Sequence, residues 1–135
     1  MPTSLHAPLA LIGRILMALM FVLAGPGKLM NAAGTAAYMA KAGLPGSTPL
    51  ALAVGLFELL AGLALIIGFQ ARWAALALAL FTLVASFFFH NYWALPAEQQ
   101  MVQQLMFMKN VAAAGGLLML AALGPGAWSL DGRRR

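Results

Sequence analysis

Four ionisable residues lie inside long apolar runs of a chain that is otherwise poor in charge. Arg14, Glu58 and Lys109 fall well within runs of membrane-spanning length, and His90 falls near the end of another. An ionisable side chain in hydrocarbon costs at least ~2.5 kcal/mol on insertion scales. We therefore expect these residues to face one another, a ligand or a water-filled cavity, and they are the first candidates for chemistry.

The residue types indicate which chemistry this would be. Lys109 or His90 could donate a hydrogen bond to a ligand carbonyl, and Glu58 or His90 could transfer protons. Arg14 and Lys109 together exceed Glu58 by one positive charge, which favours an anionic or strongly hydrogen-bonding ligand. The plainer interpretation is that Glu58 forms an ion pair with Arg14 or Lys109 that only fixes the helix register.

Two further polar residues have the same two interpretations. Lys28 follows the first apolar run, and Asn110 is adjacent to Lys109. Both could contact a ligand. Alternatively, Lys28 extends to lipid head groups and Asn110 forms a hydrogen bond between helices.

The composition defines the class of protein. Of the 135 residues, 63% are hydrophobic and 8% are charged, against about 25% charged in soluble domains. The net charge of +5 does not indicate nucleic-acid binding, because three of the eight basic residues form the tail at 133–135 and no reading motif is present. Cysteine is absent, which excludes thiol–disulfide exchange, Fe–S clusters and cysteine-ligated zinc or haem.

The apolar runs predict an all-α integral membrane protein: one domain, residues 1–135, with four transmembrane helices at approximately 8–27, 49–68, 73–92 and 101–123. Each is close to the ~20 residues that a bilayer requires. The Gly-Pro-Gly sequence at 25–27 is expected to loosen or end the first helix. Residues 32–42, followed by Gly43, predict a short interfacial helix between the first two spans.

The basic residues in the loops predict the orientation. Arg72 and the tail arginines at 133–135 lie on one side of the membrane, and Lys28 and Lys41 lie on the other. Since cytoplasmic loops carry the excess of Lys and Arg, both termini are expected in the cytoplasm.

The polar residues are expected at similar depths. Glu58 lies nine residues after Pro49, about 14 Å from the outer surface, and Lys109 lies eight residues after Met101, about 12 Å from that surface. Arg14 would extend toward them from the inner side. The sequence thus predicts one polar column between the outer face and the middle of the bilayer.

The helix faces support this convergence. Gly55, Glu58 and Gly62 share one face of the second span, and the small residues on it let another helix approach. Lys28 and His90 are expected at the outer mouth of the column.

Cofactor binding has few candidates. Bis-histidine haem would need His6 and His90, which are expected at opposite ends of the bundle. The methionines at 17, 20, 101, 106 and 108 could bind copper, although methionine at helical spacing more often fills a core. We expect no metal site.

Several short segments, taken in their order along the chain, resemble those of a known protein family. They are Arg14, 25–29 (Gly-Pro-Gly-Lys-Leu), 55–58 (Gly-Leu-Phe-Glu), 88–90 (Phe-Phe-His), 107–110 (Phe-Met-Lys-Asn), 124–126 (Gly-Pro-Gly) and 129–131 (Ser-Leu-Asp). With these segments the chain resembles the DoxX family of small bacterial membrane proteins over nearly its whole length. The resemblance implies a four-helix inner-membrane protein, a quinone as ligand, and a soluble redox-enzyme partner, because the namesake is associated with a quinone-reducing thiosulfate oxidoreductase.

The leading prediction is a membrane subunit of a quinone-linked oxidoreductase or oxidative-stress system. Its candidate ligand-binding residues are Arg14, Lys28, Glu58, His90, Lys109 and Asn110. The expected partners are the lipid bilayer, a soluble redox enzyme and other copies of the chain. One alternative is a non-catalytic anchor or scaffold with structural charges, and another is a small transporter or stand-alone membrane enzyme.

Overall fold

The computed structural model describes residues 2–133 and contains helices but no strands over that range. Met1 and the tail arginines at 134 and 135 lie outside the described residues. The α-helices are α1 (His6–Met30), α2 (Ala32–Lys41), α3 (Thr48–Ile67), α4 (Ala71–Phe89), α5 (Ala97–Leu123) and α6 (Leu130–Arg133), with short 3-10 helices at Thr3–Leu5 and Tyr92–Ala94.

Four of these helices, α1, α3, α4 and α5, are long and apolar enough to cross a membrane. This confirms the predicted all-α fold with four membrane-spanning helices and a short helix, α2, between the first two. The fourth helix begins earlier than expected, at Ala97 rather than near Met101. Pro96 occupies its N-cap, and the following Glu and Gln residues extend the helix because they are good helix formers.

The first helix does not end at residues 25–27, where the sequence predicted a loosening or a break. α1 continues through Pro26 to Met30. Proline removes one backbone donor, a loss that neighbouring helices make tolerable in membrane proteins. The chain turns at Asn31, whose side chain accepts a hydrogen bond from the Gly34 N–H at 3.2 Å and thereby caps α2.

The bundle consists of two helix pairs, because α1 packs mainly along α3 and α4 packs mainly along α5. Glycines set the distance between α1 and α3. A Cβ atom on Gly25 would lie 2.7 Å from the carbonyl oxygen of Gly55, and one on Gly62 would lie 2.8 Å from a Val22 methyl group. The prediction that the small-residue face of the second span receives another helix is therefore confirmed.

An apolar core joins the two pairs. Ala18, Leu65, Leu78 and Leu117 are fully buried and come from α1, α3, α4 and α5 respectively. A smaller cluster, the Met39 cluster, contains Ala36, Met39 and Ala51 and packs α2 against the beginning of α3 and the end of α4. The helix α2 therefore covers one end of the bundle, called here the α2 end.

The opposite end is closed by the segment after α5, residues 124–133, which is called the end cap. The Asp131 carboxylate accepts hydrogen bonds from the backbone N–H groups of Gln70 and Ala71, at 3.0 and 2.9 Å. The Asp131 N–H donates to the Gly68 carbonyl at 2.9 Å. These bonds satisfy the first turn of α4 and attach the end cap to the turn between α3 and α4.

Candidate functional site

A cavity of about 390 Å³ lies near the α2 end, between the two helix pairs and beneath α2. We call it the outer cavity. Its volume lies within the ~300–1,000 Å³ typical of small-molecule sites. Its walls are mostly aliphatic and aromatic, and its polar lining residues are Lys28, Thr35, Glu58, Thr82, His90 and Asn110.

An ion pair forms one wall of the outer cavity. Lys28 Nζ donates to Glu58 Oε2 at 2.6 Å, and the two side chains are 31% and 7% exposed. The close crossing of α1 and α3 produces this pair, because the Lys28 Cβ lies only 3.1 Å from where a Gly55 Cβ would be. The prediction that Glu58 pairs with Arg14 or Lys109 is therefore wrong, and its partner is Lys28.

Arg14 lies far from this pair and does not line the outer cavity. It is 14 residues before Lys28 on α1, which is about 21 Å along the helix. The side chain is 2% exposed, and its guanidinium donates to the carbonyl oxygens of Ile66 (3.1 Å), Trp128 (2.8 Å) and Pro125. Arg14 therefore fastens the end cap to α1 and α3.

Asn110 and Lys109 are adjacent, but they face in different directions. Asn110 is buried and lines the outer cavity, whereas Lys109 is exposed on the outside of α5. Successive helical residues differ by about 100° in direction, so the two side chains cannot both face the cavity. Lys109 forms no hydrogen bond or ion pair within residues 2–133.

The predicted single polar column is therefore two separate clusters. One cluster lines the outer cavity, and the other, containing Arg14, lies at the end cap. On every spanning helix a fully or almost fully buried apolar residue separates the two levels: Ala18 on α1, Leu65 on α3, Leu78 on α4 and Leu117 on α5. The bundle thus has an apolar layer between its two polar ends.

His90 ends α4 at the rim of the outer cavity and is half-buried. Its Nδ1 lies 2.8 Å from Gln103 Oε1 on α5. Because an amide oxygen only accepts, Nδ1 is the donor in this contact, and a proton taken up by the ring would go to Nε2. Gln103 thus orients the ring of a candidate proton-transfer residue.

Two polar groups of the outer cavity lack partners. Thr82 is 3% exposed, and its hydroxyl oxygen forms no hydrogen bond. The Asn110 amide likewise forms none within residues 2–133. A buried polar group without a partner costs about 1–3 kcal/mol. An occupant that hydrogen-bonds to the buried Thr82 hydroxyl would recover this cost, and the Asn110 amide, whose polar atoms are not fully buried, offers a second contact.

An aromatic pair connects α2 to α4 beside the outer cavity. The rings of Tyr38 and Phe89 are stacked, with centroids 4.9 Å apart and planes inclined by 17°. Both residues line the cavity. α2 is thus attached over the cavity by a ring contact and by the Met39 cluster, which gives the cavity an aromatic rim.

Sequence reasoning placed Lys28, Glu58, His90 and Asn110 among the candidates, and the structure brings these four together around one cavity. It missed Thr35, Tyr38 and Gln103. Thr35 and Tyr38 lie on α2, which was interpreted as an interfacial helix, and no periodic pattern indicates that this helix folds back over the bundle. The Gln103 contact depends on the early start of α5, which places polar residues next to the end of α4.

The chain matches two family models: DoxX over residues 9–91 and the SURF4 family over residues 52–135. It is 46% identical over 122 residues to inner membrane protein YqjF of Escherichia coli (strain K12), covering 90% of this chain and 88% of that protein.

Two further relatives extend the comparison. The chain is 37% identical over 125 residues to inner membrane protein YphA of the same strain, covering 93% of this chain and 89% of that protein. It is 33% identical over 72 residues to a surfeit locus protein 4 homolog of Schizosaccharomyces pombe (strain 972 / ATCC 24843). That match covers 52% of this chain and 24% of the yeast protein. No solved structure matches the chain.

Proposed function

This chain belongs to the DoxX family, and from that premise we propose that its outer cavity binds the head group of a lipid-soluble quinone, as the membrane subunit of a redox system. Relatives that cover most of its length are inner membrane proteins, and the chain has four apolar helices. It is accordingly a multi-pass protein of the inner membrane.

The outer cavity is the main support for a quinone. Aromatic side chains, including Tyr38, Phe81, Phe88 and Phe89, line it and suit a flat ring. The unpartnered Thr82 hydroxyl and Asn110 amide can each donate a hydrogen bond to a carbonyl oxygen. A flat, apolar ring with carbonyl oxygens matches both properties.

The titratable residues of the cavity would serve proton transfer. A bound quinone would supply reversible electron and proton transfer. Glu58 is held by Lys28, and the His90 ring is held by Gln103, so both stay at fixed positions beside the cavity. His90 Nε2 would accept a proton from a reduced head group, and Lys28 would stabilise the charge of Glu58.

Electron transfer would require a second protein. We expect a soluble redox enzyme as that partner, together with contact between membrane subunits. Lys109 favours the second candidate function, an anchor or scaffold, because an unpaired cation exposed on a spanning helix would be stabilised by a neighbouring subunit. The apolar layer between the two polar clusters disfavours the transporter alternative.

A direct titration tests quinone binding. The protein in nanodiscs would be titrated with a short-chain ubiquinone analogue by isothermal calorimetry, and we expect saturable binding. Thr82→Val should weaken it about 2–10-fold, the value of one hydrogen bond, and should preserve the fold because the hydroxyl has no partner to lose. Asn110→Leu should act similarly.

Lys109→Met is the matched control, since Lys109 neighbours Asn110 but does not line the cavity. Its affinity for the analogue should equal that of the wild type. Absence of saturable binding, or equal affinity in wild type, Thr82→Val and Asn110→Leu, would exclude the cavity as the quinone site.

A further inference from the structure

A second cavity, of about 520 Å³, lies at the end of the bundle opposite α2. We call it the end-cap cavity. It is enclosed by the turn between α3 and α4, the beginning of α4, the end of α5 and the following loop. Its polar lining side chains are Gln70, Arg72 and Asp131, and Trp73 forms part of its wall. None of the residues proposed to bind quinone contributes to it.

Opposite charges line the end-cap cavity without pairing. Both Arg72 and Asp131 are among the described residues, yet they form no ion pair with each other. Arg72 Nη1 donates to the Ala121 and Ala122 carbonyls, and Nη2 donates to Leu123. These bonds leave one N–H of Nη2 and the buried Nε–H without a partner.

Asp131 also retains capacity to accept. Each of its carboxylate oxygens accepts one backbone N–H, from Gln70 or Ala71, and a carboxylate has about four lone-pair positions. Its charge also interacts with Arg14, which does not line the cavity and whose guanidinium donates to the carbonyl oxygens of Ile66, Pro125 and Trp128. The cavity therefore presents a cation and an anion that can each contact a ligand at a separate position.

The end-cap cavity lies where two spanning helices end, which is the level that lipid head groups occupy in a bilayer. It is formed where the spanning helix α4 begins, at Ala71, and where α5 ends, at Leu123. Trp73 is 70% exposed and Trp128 is 57% exposed at this end. Indole rings at the ends of spanning helices are typical of the membrane–water interface.

We propose that the end-cap cavity binds the phosphoethanolamine head group of a membrane phospholipid. The phosphate contacts Arg72, and the primary ammonium contacts Asp131. A phosphoglycerol head group offers no cation to Asp131. A choline head group has no N–H with which to donate to that carboxylate.

The wild-type protein provides the first test. It would be purified in detergent with an equimolar mixture of phosphatidylethanolamine, phosphatidylglycerol and phosphatidylcholine of the same acyl chains, and retained lipid would be counted by native mass spectrometry. We expect about fivefold preference for phosphatidylethanolamine, the effect of one additional exposed ion pair. Equal retention of the three lipids, or preference for either of the others, would overturn the proposal.

Variants assign the preference to this cavity. Arg72→Gln and Asp131→Asn should each remove it, whereas Arg133→Gln, a change at the same end but outside the cavity, should preserve it. Loss in Arg133→Gln equal to that in Arg72→Gln would show that general basic charge is responsible. If the Arg72 and Asp131 variants fail to fold, the lipid preference of the wild-type protein still tests the proposal.

A soluble ligand distinguishes a membrane phospholipid from a free metabolite as the source of the phosphoethanolamine group. Glycerophosphoethanolamine added to the lipid-free protein should not bind measurably at concentrations up to 100-fold above that of the lipid. Tight binding of the soluble compound together with no retained lipid would show that the cavity takes a free metabolite, and would overturn the assignment to a phospholipid.

Discussion

The ion pair between Lys28 and Glu58 determines the polar character of the outer cavity, and it exists because two glycines let α1 and α3 approach. The sequence correctly indicated that Glu58 lies on a helix face between small residues that let another helix approach. It did not indicate the partner: Arg14 and Lys109 were the predicted candidates, whereas helix pairing decides which cation reaches Glu58. The pairing of α1 with α3 selects Lys28.

Removing one member of this pair should destabilise the bundle. Lys28→Met leaves the Glu58 carboxylate buried without its cation. We expect the free energy of unfolding to fall by up to ~3 kcal/mol. This is the lower limit of the range for breaking a buried ion pair, and it applies because Lys28 is 31% exposed. Glu58→Gln combined with Lys28→Met should recover much of that loss. Unfolding in mixed micelles would measure both.

Lys109→Met serves as the control lysine for that experiment. It removes a cation that has no ion-pair partner among residues 2–133, so stability should be unchanged or higher. An equal loss in Lys109→Met and Lys28→Met, or a double variant whose loss is the sum of the single losses, would contradict the assignment of the pair.

Arg14 on α1 holds the end cap in place, and its replacement should loosen that segment. A lysine ammonium cannot match the planar guanidinium that donates to three carbonyl groups, and each lost charged hydrogen bond costs about 1.5–3 kcal/mol. In Arg14→Lys, hydrogen exchange of residues 124–133 should be faster than in wild type. Unchanged exchange there, matching the exposed control Arg133→Lys, would contradict this role.

At the scale of the helices, the sequence predicted which helices form better than it predicted where they end and which side chains face inward. Hydropathy and length are local properties, so the four spans and α2 were predictable. The continuation of α1 through Pro26 was not, because packing against α3 stabilises that turn. The outward direction of Lys109 was not predictable either, since the sequence gives two adjacent polar residues and only packing decides which faces inward.

Two glycines of α1 provide a matched test of the helix crossing. A Cβ on Gly25 would lie 2.7 Å from the Gly55 carbonyl oxygen, whereas one on Gly27 would meet nothing within 4 Å. Gly25→Ala should therefore destabilise by about 1–3 kcal/mol through overpacking. Gly27→Ala should be neutral or stabilising by up to ~1 kcal/mol, since alanine is the better helix former.

Thermal unfolding in detergent would compare the two alanine variants. Gly25→Ala should also weaken the coupling between Lys28 and Glu58, because it separates the helices that hold them. Similar stabilities of Gly25→Ala and Gly27→Ala would show that the close crossing is not required.

For the whole molecule, the structure places the start of α1 and Arg133 at the same end of the bundle, and the distribution of basic residues then predicts on which side of the membrane that end lies. We expect this end to be cytoplasmic, because Arg72 and Arg133 lie there, with two further arginines following Arg133 in the sequence, and Lys28 and Lys41 lie at the other end. Fusions of alkaline phosphatase at the C-terminus should be inactive, and fusions at Gly43 should be active. The reverse pattern would invert the orientation.

The central claim is that a ring-shaped, hydrogen-bonding head group occupies the outer cavity, and photoaffinity labelling tests it most directly. A photoreactive quinone analogue would be activated on the protein in nanodiscs, and the labelled peptides would be mapped by mass spectrometry. We predict labels on α2 at residues 38–39 and on α4 at residues 84–89, suppressed by excess short-chain ubiquinone. Labels restricted to the lipid-exposed face of α5, or labels that excess ubiquinone does not suppress, would contradict the claim.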